Sequence, residues 1–445
     1  MAFKDIRKSR KWLSPQEIRI IAAFLIILVA LLALNVYLAR TLPGGEWLFM
    51  RWNAVHAFLG EGAETSGGLR GWRSMPEGDA VLQEAESNIY GGSIARRVQQ
   101  IVYDRIAFAD EYKYILSDPF YILLLYTPLG VFQNFPLTRG IWMLVAEIAL
   151  FMSVLFSHRL SEWDPPLGLN LILISFGLLS FFSLNALVTS SPAIFLNFLF
   201  IGILLALRSS SDELAGALLA LAAYQWEVGG LFYLCILIYV LANRRWGVLA
   251  GLGMALVVLL FVSFLIDSSW GLPYIRAVLS NLLQGTQLDA GNVLAGWFPE
   301  IPFPIGRVVS ILLIAVVFFE SLWAVNAPFR RVVWVASLAL AAMPLAGLAI
   351  FPSNYVVLIL PLVLVISLIW ERWLRRRFIV VVLILFAAFL VPYYLYFETV
   401  LVYTPFYTEL LTVLPSVVMI IALYWMRWWV IHSPRIWADR IGNRR

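Results

Sequence analysis

Apolar runs of about twenty residues, separated by short polar joints, make up most of this chain. The first, Ile20 to Ala39, is long enough to cross a ~30 Å hydrocarbon core. Beyond Arg244 the runs at 246–267, 306–325, 332–350, 355–371, 378–397 and 409–430 repeat that length with regular breaks. The stretch between is less regular. Runs near 119–135, 140–158, 167–186 and 190–207 and a broken run over 213–243 must together make an odd number of crossings. Either 213–243 crosses once, or it dips in and returns and one of the other four does not span. Tyr224, Gln225, Trp226 and Glu227, followed by Gly229-Gly230, interrupt it near mid-depth. Polar groups there have to face protein or a water-filled cavity.

Length does not change this picture, but composition settles the class. Hydrophobic residues make up 62% of the 445 and charged ones only 13%, which excludes a string of soluble domains. The pattern predicts an all-α integral membrane protein, a single polytopic domain over 1–445 with about 11–13 transmembrane helices. Its basic residues give the orientation. Lys4, Arg7, Lys8, Arg10 and Lys11 before the first run, and Arg435, Arg440, Arg444 and Arg445 after the last, place both termini in the cytoplasm. Arg244/Arg245, Arg330/Arg331 and Arg372/Arg375/Arg376/Arg377 then fall inside. The segments 41–117 and 268–305 become the first and second outer loops of a protein of the cell membrane. The +5 balance thus reads as topology, with membrane lipids as partners and no nucleic acid.

The first outer loop carries two expected helices. Trp47 to Leu59 mixes aromatic and polar groups. Ser93 to Asp104 puts Ile94, Val98, Ile101 and Val102 on one face, as in a helix lying on the membrane surface. Ser66 to Asp79, with Gly67-Gly68, Gly71 and Pro76, reads as an irregular loop. No internal repeat is visible. Cys235 is the single cysteine, so there is no internal disulfide and no thiolate metal cluster. His56, His158 and His432 are scattered, and no phosphate-binding loop, nucleophile elbow or dinucleotide fingerprint occurs. Metal-dependent hydrolysis and soluble nucleotide chemistry drop out. Glu46 remains, a carboxylate after Gly44-Gly45 where the chain leaves the first run, and a carboxylate so placed can act as general base toward a hydroxyl.

In order, the chain shows "GGEWLFMRWNAVHAFLGEG", "NIYGGSIARRVQQIVYDR", "DPFYILLLYTPLGVFQNFPLTRGIW", "LAAYQWEVGGLF" before "NRRW", "GNVLAG" and "NYVVLILPL". In that order it resembles the polytopic GT-C glycosyltransferases and, more narrowly, glycosyltransferase family 87, which includes polyprenol-phosphate-mannose-dependent α-mannosyltransferases. The resemblance covers about residues 40 to 370. It departs at two places: Glu46 stands where an Asp is common, and Gln225, Trp226 and Glu227 stand where many members have Lys-Pro-Gln.

The resemblance implies a GT-C-like bundle and an inverting transfer of a sugar, mannose by analogy, from a polyprenyl-phosphate donor. The acceptor would be a hydroxyl of a glycolipid or glycan on the outer face, with Glu46 as base and no metal or cofactor. Lys113, the only lysine beyond residue 11, and Arg276 are first candidates to hold the donor phosphate, with Arg51, Arg96, Arg97 and Arg105 as alternatives. Gln225, Glu227, Asn292 and Tyr355 lie in the remaining elements and are expected near substrate. A carrier or flippase for a lipid-linked sugar or another amphiphile, or a non-catalytic assembly subunit, fits the same spans.

Overall fold

The computed structural model describes residues 15–59, 89–90, 92–108, 111–282, 290–300, 304–346, 351–373, 375–402 and 405–431. Regular structure among them is helical throughout, with no strand. The basic termini expected to set the orientation, His432 and the loop over 66–79 lie outside the described residues.

Six helical segments are long and apolar enough to cross a membrane: α5 (Phe135–Leu160), α11 (Trp246–Ile266), α14 (Ile305–Ala324), the continuous Pro352–Arg372, α17 (Arg377–Val402) and α18 (Pro405–Ile431). Two bent pairs raise the number to eight: α1 (Pro15–Thr41) with α2 (Glu46–Leu59), and α6 (Leu167–Leu179) with α7 (Phe181–Thr189). The protein is therefore an all-helical, multi-pass membrane protein. The helical part of Pro352–Arg372, α16 (Ile359–Arg372), is apolar all round and buried from Ile359 to Leu364, which places it in the centre. α11 lies at the periphery, with Met254, Val257, Val258 and Phe261 exposed as lipid-facing residues are.

Contacts between helix ends sort the bundle into two ends. At one end gather arginines. Arg208, closing α8 (Ala193–Arg208), bonds the Arg159 carbonyl and Glu162 after α5. Arg330, opening α15 (Phe329–Ala342), bonds Glu371 at the close of α16. Arg372 reaches the Trp429 carbonyl of α18, and Arg377, opening α17, lies over Trp370. At the other end Arg139 of α5 meets the close of α1 and of α7.

This sorting resolves the middle of the chain. Asp212 opens α9 (Asp212–Ala222) and pairs at 2.7 Å with Arg245, just past α10 (Trp226–Ala242). Arg245 also donates to the Leu207 carbonyl at 2.9 Å. The start of α9 and the end of α10 thus share the arginine end, and 213–243 goes in and returns, breaking at Ala223–Gln225. The run that fails to traverse is α4 (Phe120–Gly130). It follows Asp118, and the turn beyond it holds the Phe132 carbonyl on the indole N–H of Trp52 in α2. Both of its ends stay with α2.

The outer-loop helices fall where the pattern predicts, α2 at Glu46–Leu59 and α3 at Gly92–Tyr103. Their burial differs from a surface helix. Every residue from Leu48 to His56 is buried, and α3 turns Ile94 and Val98 onto protein and not onto lipid. α12 (Gly271–Leu282) and α13 (Ala290–Trp297) cap the same end; Asn281 donates to the Ile115 carbonyl, and Trp297 to Glu409 of α18.

In a Cys235→Ser background, cysteines at positions 209 and 375 should react with a membrane-impermeant reagent from one side, and those at 268 and 276 from the other. Labelling of position 209 from the side of position 276 would contradict the returning hairpin.

Candidate functional site

The site is built at the corner between α1 and α2, where the chain bends by 92°. Gly44 and Gly45 make the corner with φ of +116° and +87°, conformations that a side chain would strain. Space requires glycine too. A Cβ on Gly44 would stand 2.6 Å from the Val188 carbonyl oxygen, and one on Gly45 2.9 Å from Arg139. The glycines therefore let the backbone pass Arg139, a reason other than the close approach to substrate that their position suggests. Arg139 is buried and donates to the carbonyls of Leu42 at 2.8 Å, Pro43 at 3.1 Å and Val188 at 2.7 Å.

Immediately after the corner, Glu46 opens α2, where the helix N-terminus favours a carboxylate. It is half-buried. Burial pushes its carboxyl up to about 7, against the opposing pull of a backbone hydrogen bond and of Arg139.

One residue on, Trp47 forms a wall of a narrow cleft with about 20 Å³ of room, enough for a water molecule. Its ring meets Phe351 edge-on at 5.0 Å, and Tyr112 meets Phe351 at 4.9 Å. The polar lining comes from five places in the chain: Arg51 on α2, Ser117 and Asp118 before α4, Ser191 between α7 and α8, Gln225 and Glu227 at the break between α9 and α10, and Asn354. Arg51 and Asp118, both buried, pair with Nε and Oδ2 2.6 Å apart. Arg51 also donates to the Trp47 carbonyl at 2.8 Å and lies against the Tyr126 ring. The cation of this wall is thus already engaged. What the cleft offers is carboxylates, amides, hydroxyls and aromatic edges.

Of the residues expected at the site, Arg51, Gln225 and Glu227 meet in this cleft. Glu46 is not among the residues that line it, although the next residue, Trp47, is. Lys113 is half-buried between buried Tyr112 and Tyr114 and is not part of the lining; its carbonyl accepts from Gln99. Arg276 is exposed on α12 and Asn292 exposed on α13, both away from the cleft wall. Tyr355 is buried behind it, donating to the Thr412 carbonyl of α18, so it ties two helices together. Among the described residues no three His, Cys, Asp or Glu side chains gather as a metal would require.

The pattern undervalued two residues. Asp118 is one of the acids of the cleft, and its signal was its place in Asp118-Pro119 before an apolar run. Arg139 carries the corner, and its signal was no more than a charge in the short joint between the apolar runs 119–135 and 140–158. No family model, curated protein or solved structure matches this chain.

The buried pair can be tested alone. Arg51→Met should destabilise the protein by about 3–5 kcal/mol, because Asp118 is left buried and unpaired. Adding Asp118→Leu should recover much of that loss in a detergent thermal-unfolding assay. A single variant as stable as the parent would show that the pair is not held in the folded protein.

Proposed function

We propose that the protein is a membrane glycosyltransferase that moves one sugar, by resemblance mannose, from a polyprenyl-phosphate donor to the hydroxyl of a glycolipid or glycan acceptor. In this reading α1, α5, the α6–α7 pair, α8, α11, α14, α15, α16, α17 and α18 cross the membrane, and α9 and α10 form the hairpin that goes in and returns. The arginine end faces the cytoplasm with both termini, and the cleft opens on the outer face of the cell membrane.

The observation that carries the reading is the pairing of two features at one end of the bundle. One is a narrow cleft lined by carboxylates, amides and aromatic edges, groups of the kind that hydrogen-bond to hydroxyls and stack on sugar faces. The other is Glu46, one residue before the cleft-lining Trp47, a half-buried carboxyl whose pKa burial pushes up to about 7. A base is most useful when its pKa lies near the working pH. The acceptor oxygen attacks the anomeric carbon as Glu46 takes its proton; the bond from that carbon to the phosphate oxygen breaks, and polyprenyl phosphate leaves with the electron pair. A single displacement inverts the anomeric centre. Because Arg51 is committed to Asp118, the departing phosphate is met by cations outside the cleft wall, Lys113 and Arg276 being the first to test. The chemistry assigned here asks for no cofactor.

One observation favours a carrier: α10 begins at the cleft after a break, as discontinuous helices do at transporter sites. A proton-coupled carrier would also use a titratable carboxyl, so formation of a glycoside is what separates the two readings.

Glu46→Gln should fold, bind donor and lose ~10²–10⁴-fold in turnover, while Glu46→Asp keeps substantial activity. Wild-type turnover should rise with pH through about 7, because the base must be deprotonated. A Gln variant as fast as wild type would pass the role to Glu227 or Asp118.

A further inference from the structure

Arg139 does more than any other side chain at the α1–α2 corner, and no part of the proposed reaction yet uses it. Its Nη1 and Nη2 are spent on the carbonyls of Leu42, Pro43 and Val188. Those carbonyls come from two separate helix ends, the close of α1 and the close of α7, and a planar fork can collect them at one point. The Nε–H is buried and bonds to nothing in the protein. It lies on the Gly45 side, since the Cβ that Gly45 lacks would stand 2.9 Å from that nitrogen. A guanidinium so placed fixes Leu42 and Pro43 at the start of the corner and sets its charge against Gly45, one residue before Glu46.

We propose that Arg139 is the positioning residue for Glu46: its fork holds the corner that aims the carboxylate, and its charge, set against Gly45, acts on that carboxylate without pairing with it. The inference rests on Glu46 acting as the base, but it has consequences for Glu46 whatever that residue does. The charged and titratable groups facing Glu46 are Arg139 from α5 and Tyr114 from the segment before α4. Arg51, further along α2, is engaged by Asp118. The α7 side of the corner contributes the Val188 carbonyl.

The fork and the charge can be separated by substitution. Arg139→Gln removes both. Arg139→Lys keeps the charge but cannot collect three carbonyls in the same plane. Two readouts apply to the full-length protein in detergent: the pH profile of sugar transfer, and an infrared titration of the Glu46 carboxyl, assigned by subtracting the spectrum of Glu46→Gln.

In Arg139→Gln the Glu46 midpoint should rise by about one pH unit, as expected when a nearby opposite charge is lost, and the acid limb of the transfer profile should move with it. In Arg139→Lys the midpoint should stay near the wild-type value while turnover falls roughly 10–100-fold from misplacement of the base. An unmoved midpoint in Arg139→Gln would overturn the electrostatic half. Wild-type turnover in Arg139→Lys would overturn the positioning half, and that variant stands on its own should the Gln variant not fold. If the midpoint shifts as described while Glu46→Gln transfers sugar at the wild-type rate, the inference holds and the assignment of the base fails.

Discussion

A guanidinium buried in an apolar bundle must be given acceptors, because an unpaired charge there is too costly to keep. For Arg139 the acceptors are backbone carbonyls that α1 and α7 leave over at their ends. One side chain thereby satisfies two helix termini and is itself satisfied. The rest of the site follows from that exchange. The chain has to turn sharply past the guanidinium, only glycine fits at the two turning residues, and α2 is sent across the end of the bundle. Trp47 and Arg51 then face the cleft because α2 lies where it does.

The second ion pair acts differently. Arg51 and Asp118 are 67 positions apart in sequence and close the cleft wall between α2 and the segment leading into α4. Burying two charges is expensive, and their mutual attraction repays it only when geometry and extra hydrogen bonds are good. The Trp47 carbonyl and the Tyr126 ring supply those extras. The consequence is chemical. A cation spent on a carboxylate within the wall leaves the cleft suited to hydroxyl groups and poorly suited to a phosphate, so sugar and phosphate are expected to be held by different parts of this end of the protein.

Much of the fold is legible in the apolar runs, since their length reports the membrane directly and five of the six beyond Arg244 reappear as helical segments with nearly the same bounds. The sixth, 332–350, gives the shorter helix Phe329–Ala342 and a turn to Leu345. The break at Tyr224–Glu227 is legible for the same reason, as polar groups inside an apolar run. Whether that run returns is not, because the answer lies in Asp212 meeting Arg245, a contact that hydropathy does not encode. Run length also overstates α4, which is apolar because it is packed against α2 and not because it crosses the bundle. Likewise the face of Ile94 and Val98 fits lipid and protein equally well. The rule that singles out Glu227, a charge within an apolar run, passes over Arg139, which sits in the joint between two runs and is drawn into the bundle as part of α5. Lys113 and Arg276 were favoured for sitting in outer loops, yet loop membership does not say which residues line the cleft, and neither does.

The central claim is that this end of the bundle transfers a sugar from lipid phosphate with inversion. The direct test is to reconstitute the full chain in liposomes with polyprenyl-phosphate [¹³C]mannose and a mannoside acceptor, and to read by NMR where the label goes and in which anomeric form. The account predicts label in a new glycosidic bond of inverted configuration, with free polyprenyl phosphate formed in equal amount. Label that stays on the lipid, or crosses the bilayer on intact lipid with no glycoside formed from any acceptor, would contradict it.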